Sequence, residues 1–230
     1  MLKISPLYFF LFFCCFSFLI SAPLFAQETD VLMTNSRGID KDRYEGVKGS
    51  PYLFKEWRKG KIISADAETI EGVLLNFNGE TKGFEIKKGN SFIELDPKWY
   101  IRVLVEKEKA EEYTVFQKNF LPPLANEFTR VVYKGANFSV VEHFISKIEL
   151  KIINNVGKNE ELRKFYSKRN YYLIKDKKST LLKLKKKSLF SFLGHKSELE
   201  NFSKKEKLKL SSEADLIKLF TFYEENGFAQ

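Results

Sequence analysis

The chain has 230 residues, 43% hydrophobic and 15% aromatic, with 39 Lys plus Arg against 30 Asp plus Glu, two His and two Cys. Apolar content of that size, spread along the chain, excludes a collagen-like, a disulfide-dense miniature or a wholly disordered protein. What remains is a globular chain of one domain or two small ones, mildly basic at a formal charge of +9.

Residues 1–26 carry one charge at Lys3, an apolar run over 7–20, and a small-residue stretch ending Ser21-Ala22-Pro23-Leu24-Phe25-Ala26. This layout predicts a secretory signal peptide cleaved after Ala26. A retained anchor is the rival reading, but the run is shorter than the roughly 18 residues that favour a spanning helix, and Pro23 interrupts it. Cys14 and Cys15 both fall in this segment. Cleavage would leave a chain without thiol nucleophiles, disulfides, Cys-ligated zinc or iron–sulfur clusters.

Residues 27–50 show no sustained period and predict an extended, poorly packed lead-in. From Pro51 to residue 154 the pattern is that of an antiparallel β domain. Strands are predicted at 59–64, 70–77, 81–87 and 91–95, with Asn78-Gly79 and Lys88-Gly89-Asn90 as turns. Over 99–106, Trp99, Ile101, Val103 and Val105 alternate with Tyr100, Arg102, Leu104 and Glu106, which places Trp99 among the packed residues. Strands at 113–120 and 128–133 follow. The segment 138–153 alternates over its whole length, with Phe138, Val140, Phe144, Ile148, Leu150 and Ile152 on one face. Glu142 and Ser146 fall on that apolar face, which predicts a bulge or bend.

Residues 155–230 read as a separate basic module of a hairpin and helices. Residues 154–170 look polar and mobile, 171–175 and 180–185 form a hairpin around Asp176-Lys177-Lys178, and the period then becomes helical. A short helical turn stops at Gly194, a second apolar face runs through Leu199 and Phe202, and Ser211 or Ser212 caps a last helix. Its buried face would be Leu216, Ile217, Leu219, Phe220 and Tyr223. The fold class expected is α+β, mainly β: an antiparallel meander or partly closed sheet, a hairpin, and two or three C-terminal helices.

Charge divides along the same line. Residues 27–154 hold 20 basic and 20 acidic side chains, and residues 155–230 hold 18 and 10, so the excess of +8 beyond residue 26 lies in the C-terminal part. Lys177, Lys178, Lys183, Lys185, Lys186 and Lys187 are its densest group. They are candidate contacts to a partner or to an anionic lipid or acidic glycan, against the plainer reading of a solvated surface. An exported protein meets such polymers far more often than nucleic acid, which is not an expected partner. Tyr171 and Tyr172, adjacent on a strand, are the candidate aromatic contacts.

Three features together resemble a family of uncharacterised secreted proteins of Bacteroidota. They are Gly49-Ser50-Pro51-Tyr52-Leu53 leading into a small meander, Tyr171-Tyr172-Leu173 with a Lys-rich turn, and Asp215-Leu216-Ile217-Lys218-Leu219 in a C-terminal helix. The resemblance implies an envelope or extracellular location and brings no activity, cofactor or catalytic residue. Residues 108–134 depart from the pattern most.

Catalytic motifs are absent: no nucleophile elbow, phosphate loop, dinucleotide fingerprint or calcium loop occurs. His143 and His195 have no metal-ligand spacing, and Glu142 and His143, as strand neighbours, point to opposite faces. The expectation is a non-enzymatic exported envelope protein without a cofactor, a periplasmic or outer-membrane-associated binding or accessory subunit with a basic docking module and an envelope protein partner. A binder of anionic lipid or acidic polysaccharide through residues 175–187 and a hydrolase with a dispersed site are the alternatives. Oligomeric state is not legible.

Overall fold

Alternating apolar residues separated by tight turns build a sheet, and the computed structural model describes it over residues 36–108, 112–155, 158–210 and 212–228. The predicted signal peptide lies outside the described residues. Strands are β1 Ser36–Gly38, β2 Val47–Lys48, β3 Arg58–Ser64, β4 Thr69–Asn78, β5 Gly83–Lys88, β6 Ser91–Leu95 and β7 Tyr100–Glu106. They continue as β8 Tyr113–Gln117, β9 Thr129–Lys134, β10 Ser139–Asn155, β11 Lys158–Lys175 and β12 Lys178–Leu182. Three helices follow: α1 Lys186–Leu193, α2 Lys196–Lys205 and α3 Glu213–Glu225. The fold is mainly β with C-terminal helices, as the patterning predicts.

All twelve strands belong to one open sheet, ordered β1-β6-β5-β4-β3-β7-β8-β9-β10-β11-β12, with β2 beside β11. Pairing is antiparallel except between β2 and β11. Gly89-Asn90 closes β5 onto β6 as a two-residue turn, Lys88 opposite Ser91, and Gly89 supplies the positive φ it requires. At the predicted Asn78-Gly79 turn the strand instead runs to Asn78, which pairs with Gly83 across a four-residue loop. The Asn78 carboxamide oxygen accepts the N–H groups of Glu80 and Thr81, and this longer loop removes Thr81 from the strand.

The sheet coils until the end of β4 meets β10, where the Ser146 N–H donates to the Gly79 carbonyl. Inside the coil an aromatic cluster fills the core: Phe116 stacks on Phe77 at 5.7 Å and meets the edge of Phe84 at 5.0 Å, and Phe84 meets Phe128 at 5.3 Å. A Cβ at Gly79 would stand 2.5 Å from the Phe144 ring and 2.8 Å from the Ser146 nitrogen. Gly79→Ala is therefore expected to cost about 1–3 kcal/mol through overpacking, read as a lower urea midpoint. An unchanged midpoint would show that the β4–β10 contact is loose.

The helices form a second core against β9, β10 and the β11–β12 hairpin, in which Phe138, Val140, Leu189, Phe190, Leu199, Leu219 and Phe220 are buried. Gly194 ends α1, its N–H returning to the Phe190 carbonyl. Ser212 caps α3, accepting the Asp215 N–H at 3.1 Å, and Leu216, Leu219, Phe220 and Tyr223 face inward as the period predicts, whereas Ile217, expected on the same face, is exposed.

Several expectations require correction. Trp99 lies outside β7 and is 49% exposed, while Tyr100 is buried. Ile63 pairs with Arg102 and Ser64 with Tyr100, so Ile101 is an extra residue that inverts the alternation at the start of the strand. Residues 158–170, expected to be mobile, are the larger part of the 18-residue β11. The division at 154/155 thus falls beside the turn of the β10–β11 hairpin, and residues 36–230 form one compact unit. The lead-in, over its described part, is pinned to the sheet by β1, by β2 and by Arg43, whose guanidinium meets the buried Glu85 at 2.6 Å. Tyr52 and Asn78 also donate to Glu85, at 2.8 and 2.6 Å.

Candidate functional site

Among the described residues, the two most exposed large apolar side chains, Leu150 and Ile152, lie on a strand edge with no described neighbour. β10 and β11 pair along their whole length, Ser139 opposite Ile174 through Asn155 opposite Lys158. β9 accompanies β10 only as far as Glu142, and the Ser146 contact to Gly79 follows. From Lys147 onward the β10 side of the hairpin has no described strand beside it. The distal hairpin is an arm whose root is held on the other side by Tyr44, edge-on to Phe165 at 5.0 Å, and by β2 opposite Arg163 and Lys164.

Alternation on this arm does not lead to burial. Ile148, Leu150 and Ile152 share one face with Phe165, Arg163 and Glu161, their cross-strand partners. Leu150 is 55% and Ile152 68% exposed, and Ile153, on the opposite face, 39%. That opposite face carries charges of both signs around an aromatic ring, with Lys151 4.8 Å and Lys164 5.7 Å from the centre of the Tyr166 ring. The period announced a strand with an apolar face here; the missing neighbour was not legible.

The predicted contact residues separate into three settings. Lys177 and Lys178 are exposed at the β11–β12 turn, where Asp176 and Lys177 both have positive φ. Lys178 borders a cleft of about 300 Å³ with Lys175 and Asp176 on its rim, Phe192 at its side and Phe138, Leu193 and Tyr223 beneath. Lys183, Lys185, Lys186 and Lys187 are exposed at the far end of β12 and in the first turn of α1, with Lys186 resting 5.6 Å from the Phe190 ring. Lys178 and Lys183 stand five positions apart at the two ends of β12, roughly 17 Å at about 3.4 Å each, so the run does not form one spot.

Tyr171 and Tyr172 are both half-buried. The Tyr171 hydroxyl donates to Glu142 at 2.7 Å, and burial, together with that carboxylate, pushes its phenol up to about 12. Glu142 is the hub of the polar group beneath the helices. It accepts from Arg130 at 2.8 and 3.3 Å and from Arg169 at 3.4 Å, and Arg130 also pairs with Glu213 in the first turn of α3. Burial alone would raise the Glu142 pKa, but the hydrogen bonds and charge of Arg130, with Tyr171 and Arg169, hold it below the usual carboxylate range. A carboxylate so saturated is an acceptor that ties the sheet to the helix. Its parity on the apolar face of β10 was the signal that a cation had to meet it.

His143 points the other way, as strand neighbours must. It pairs with Glu127, which Lys82 reaches at 2.6 Å. Burial lowers its pKa against the opposing pull of Glu127, with Lys82 adding to the lowering. A folded pKa below the unfolded value of roughly 6.5 means that the unfolded chain binds the proton first. This group's contribution is thus complete above that value and declines as pH falls below it. Replacing His143 with Gln should flatten the stability profile below about pH 6.5; a profile as steep as the native one would place that dependence elsewhere.

No family model, no curated protein and no solved structure matches the chain. Among the described residues, no helix is long and apolar enough to cross a membrane.

Proposed function

We propose that the protein is a non-enzymatic binding or accessory protein of the cell envelope, exported by residues 1–26, which engages a protein partner through the β10–β11 arm. The observation that carries the reading is the arm itself, an open main-chain edge combined with exposed Leu150, Ile152 and Ile153. Contiguous apolar exposure at an unpaired edge is costly to a lone protein and favours strand addition by a partner. The rest of the molecule supports this role by anchoring the arm's root through Ser146, Phe165 and β2. In this account the docking element moves from the basic module as a whole to its boundary with the sheet.

Cross-linking in intact cells tests the reading. Leu150→Ser with Ile152→Ser, both at exposed positions, should leave the fold intact and abolish the adducts formed by the native chain. Adducts of unchanged identity and yield would overturn it.

A second reading is favoured by the cleft beside Lys175 and Lys178: a phosphate or carboxylate on the lysines, with its apolar attachment over Phe138 and Tyr223. Binding to vesicles containing anionic lipid should then weaken steeply with salt and fall with Lys178→Glu. Loss only on charge reversal at Lys183, Lys185 and Lys187 would point to diffuse attraction instead.

A further inference from the structure

The open edge of β10 has a polarity and a sequence that fit a second copy of itself. Ser146 donates its N–H outward across this edge to Gly79. With a period of two, the main-chain groups of Ile148, Leu150 and Ile152 also face outward, while those of Lys147, Glu149 and Lys151 face β11. Edges left open are commonly blunted by charged side chains, lysine above all, whose like charges repel a second copy. On β10 the sign alternates through Lys147, Glu149 and Lys151, between the exposed apolar residues.

We propose that two copies of the chain pair through this edge, antiparallel and centred on Leu150, joining their arms into one four-stranded sheet. The inference rests on the arm being the binding element and names its occupant. Leu150 then meets Leu150 of the second copy, Ile148 meets Ile152, and Glu149 meets Lys151, the last two pairings occurring twice by symmetry. All three outward-facing residues exchange main-chain hydrogen bonds, and the opposite charges fall on facing positions. The six apolar side chains become continuous on one face.

Neighbouring registers fail on the same residues. Centring on Glu149 sets that carboxylate against itself and Lys147 against Lys151. Centring on Ile148 calls on the Ser146 N–H, which Gly79 already holds. Centring on Ile152 sets Glu149 against Asn155 and Lys151 against Ile153, leaving both without an opposite charge across the junction.

Sedimentation over a range of concentrations tests the pairing. The native chain should dimerise reversibly. Glu149→Lys or Lys151→Glu alone sets like charges together twice and should weaken dimerisation roughly tenfold or more, whereas the double exchange should recover it to within about threefold. Circular dichroism checks each variant, because Glu149 also stands opposite Lys164 within its own hairpin. With Cys14 and Cys15 replaced by Ser, Leu150→Cys should oxidise to a disulfide-linked dimer and Ile152→Cys should not, since only the first position faces itself. A monomer at all concentrations, a dimer indifferent to the charge exchanges, or equal cross-linking at both cysteines would overturn the proposal. A monomer whose arm still forms adducts with another envelope protein overturns the self-pairing and leaves the arm as the binding element. A native dimer that responds to the exchanges but yields no adduct with other proteins supports the self-pairing and sinks the reading of a separate partner.

Discussion

Replacing Glu142 with Ala is expected to destabilise the protein by about 3 kcal/mol, the lower end of the range for breaking a buried ion pair. The carboxylate is buried and accepts from Arg130, Arg169 and Tyr171, so its removal strands donors of the largely buried Arg130 and the half-buried Tyr171. Two facts keep the loss from the upper end. Arg130 retains Glu213, and the Arg169 side chain is half exposed, so its share is screened. Glu142→Gln, which keeps an oxygen for Tyr171, should cost less. Urea unfolding checks the order; a loss below about 1 kcal/mol for Ala would mean that the cluster is hydrated and contributes little.

The same cluster sets an acid limit. A folded Glu142 pKa below the unfolded value of roughly 4.3 gives stability that is full above that value and is lost as pH falls through the folded one. The native protein should therefore weaken in acid more than Glu142→Gln does, and the two curves should converge at the lowest pH. Because Arg130 joins Glu142 to Glu213, the first consequence should be detachment of α3, visible as earlier amide exchange in Leu216, Leu219 and Phe220.

Phe116→Ala is the second large effect, expected at about 3–5 kcal/mol. Phe116 stands on a five-residue strand, yet it is the centre of the aromatic cluster, stacked on Phe77, edge-on to Phe84 and 6.1 Å from Phe54. Truncation leaves a cavity walled by rigid rings that have no room to collapse inward. Phe116→Leu should cost less than half as much. The measurement is a fall in urea midpoint at unchanged slope. A loss under about 1.5 kcal/mol would show that the coil of the sheet closes around the gap.

What was legible in the chain depended on whether both partners of an interaction left a mark. β4 to β7 announced themselves through alternation and Gly-containing turns, and α3 through Ser212 and its apolar period, because these are local signals. The distal half of β11 left none: Lys158-Asn159-Glu160-Glu161 has no apolar alternation, since both faces of the arm are wet and the strand is specified by β10 opposite it. Arg43 and Tyr44 looked like lead-in residues because their partners, Glu85 and Phe165, are remote in sequence. Trp99 and Tyr100 exchanged roles through a single extra residue at Ile101, which no alternation count detects. The lysines of residues 175–187 were a true feature of composition, yet the course of β12 divides them.

Amide hydrogen exchange on the arm tests the binding account most directly. In the dilute protein alone, the outward amides of Ile148, Leu150 and Ile152 should exchange fast, while those of Lys147, Glu149 and Lys151, bonded to β11, are protected. On binding, whether to a second copy or to an envelope partner, the three outward amides should become protected together. Complexes that form while those three amides stay fast would contradict the arm as the binding edge.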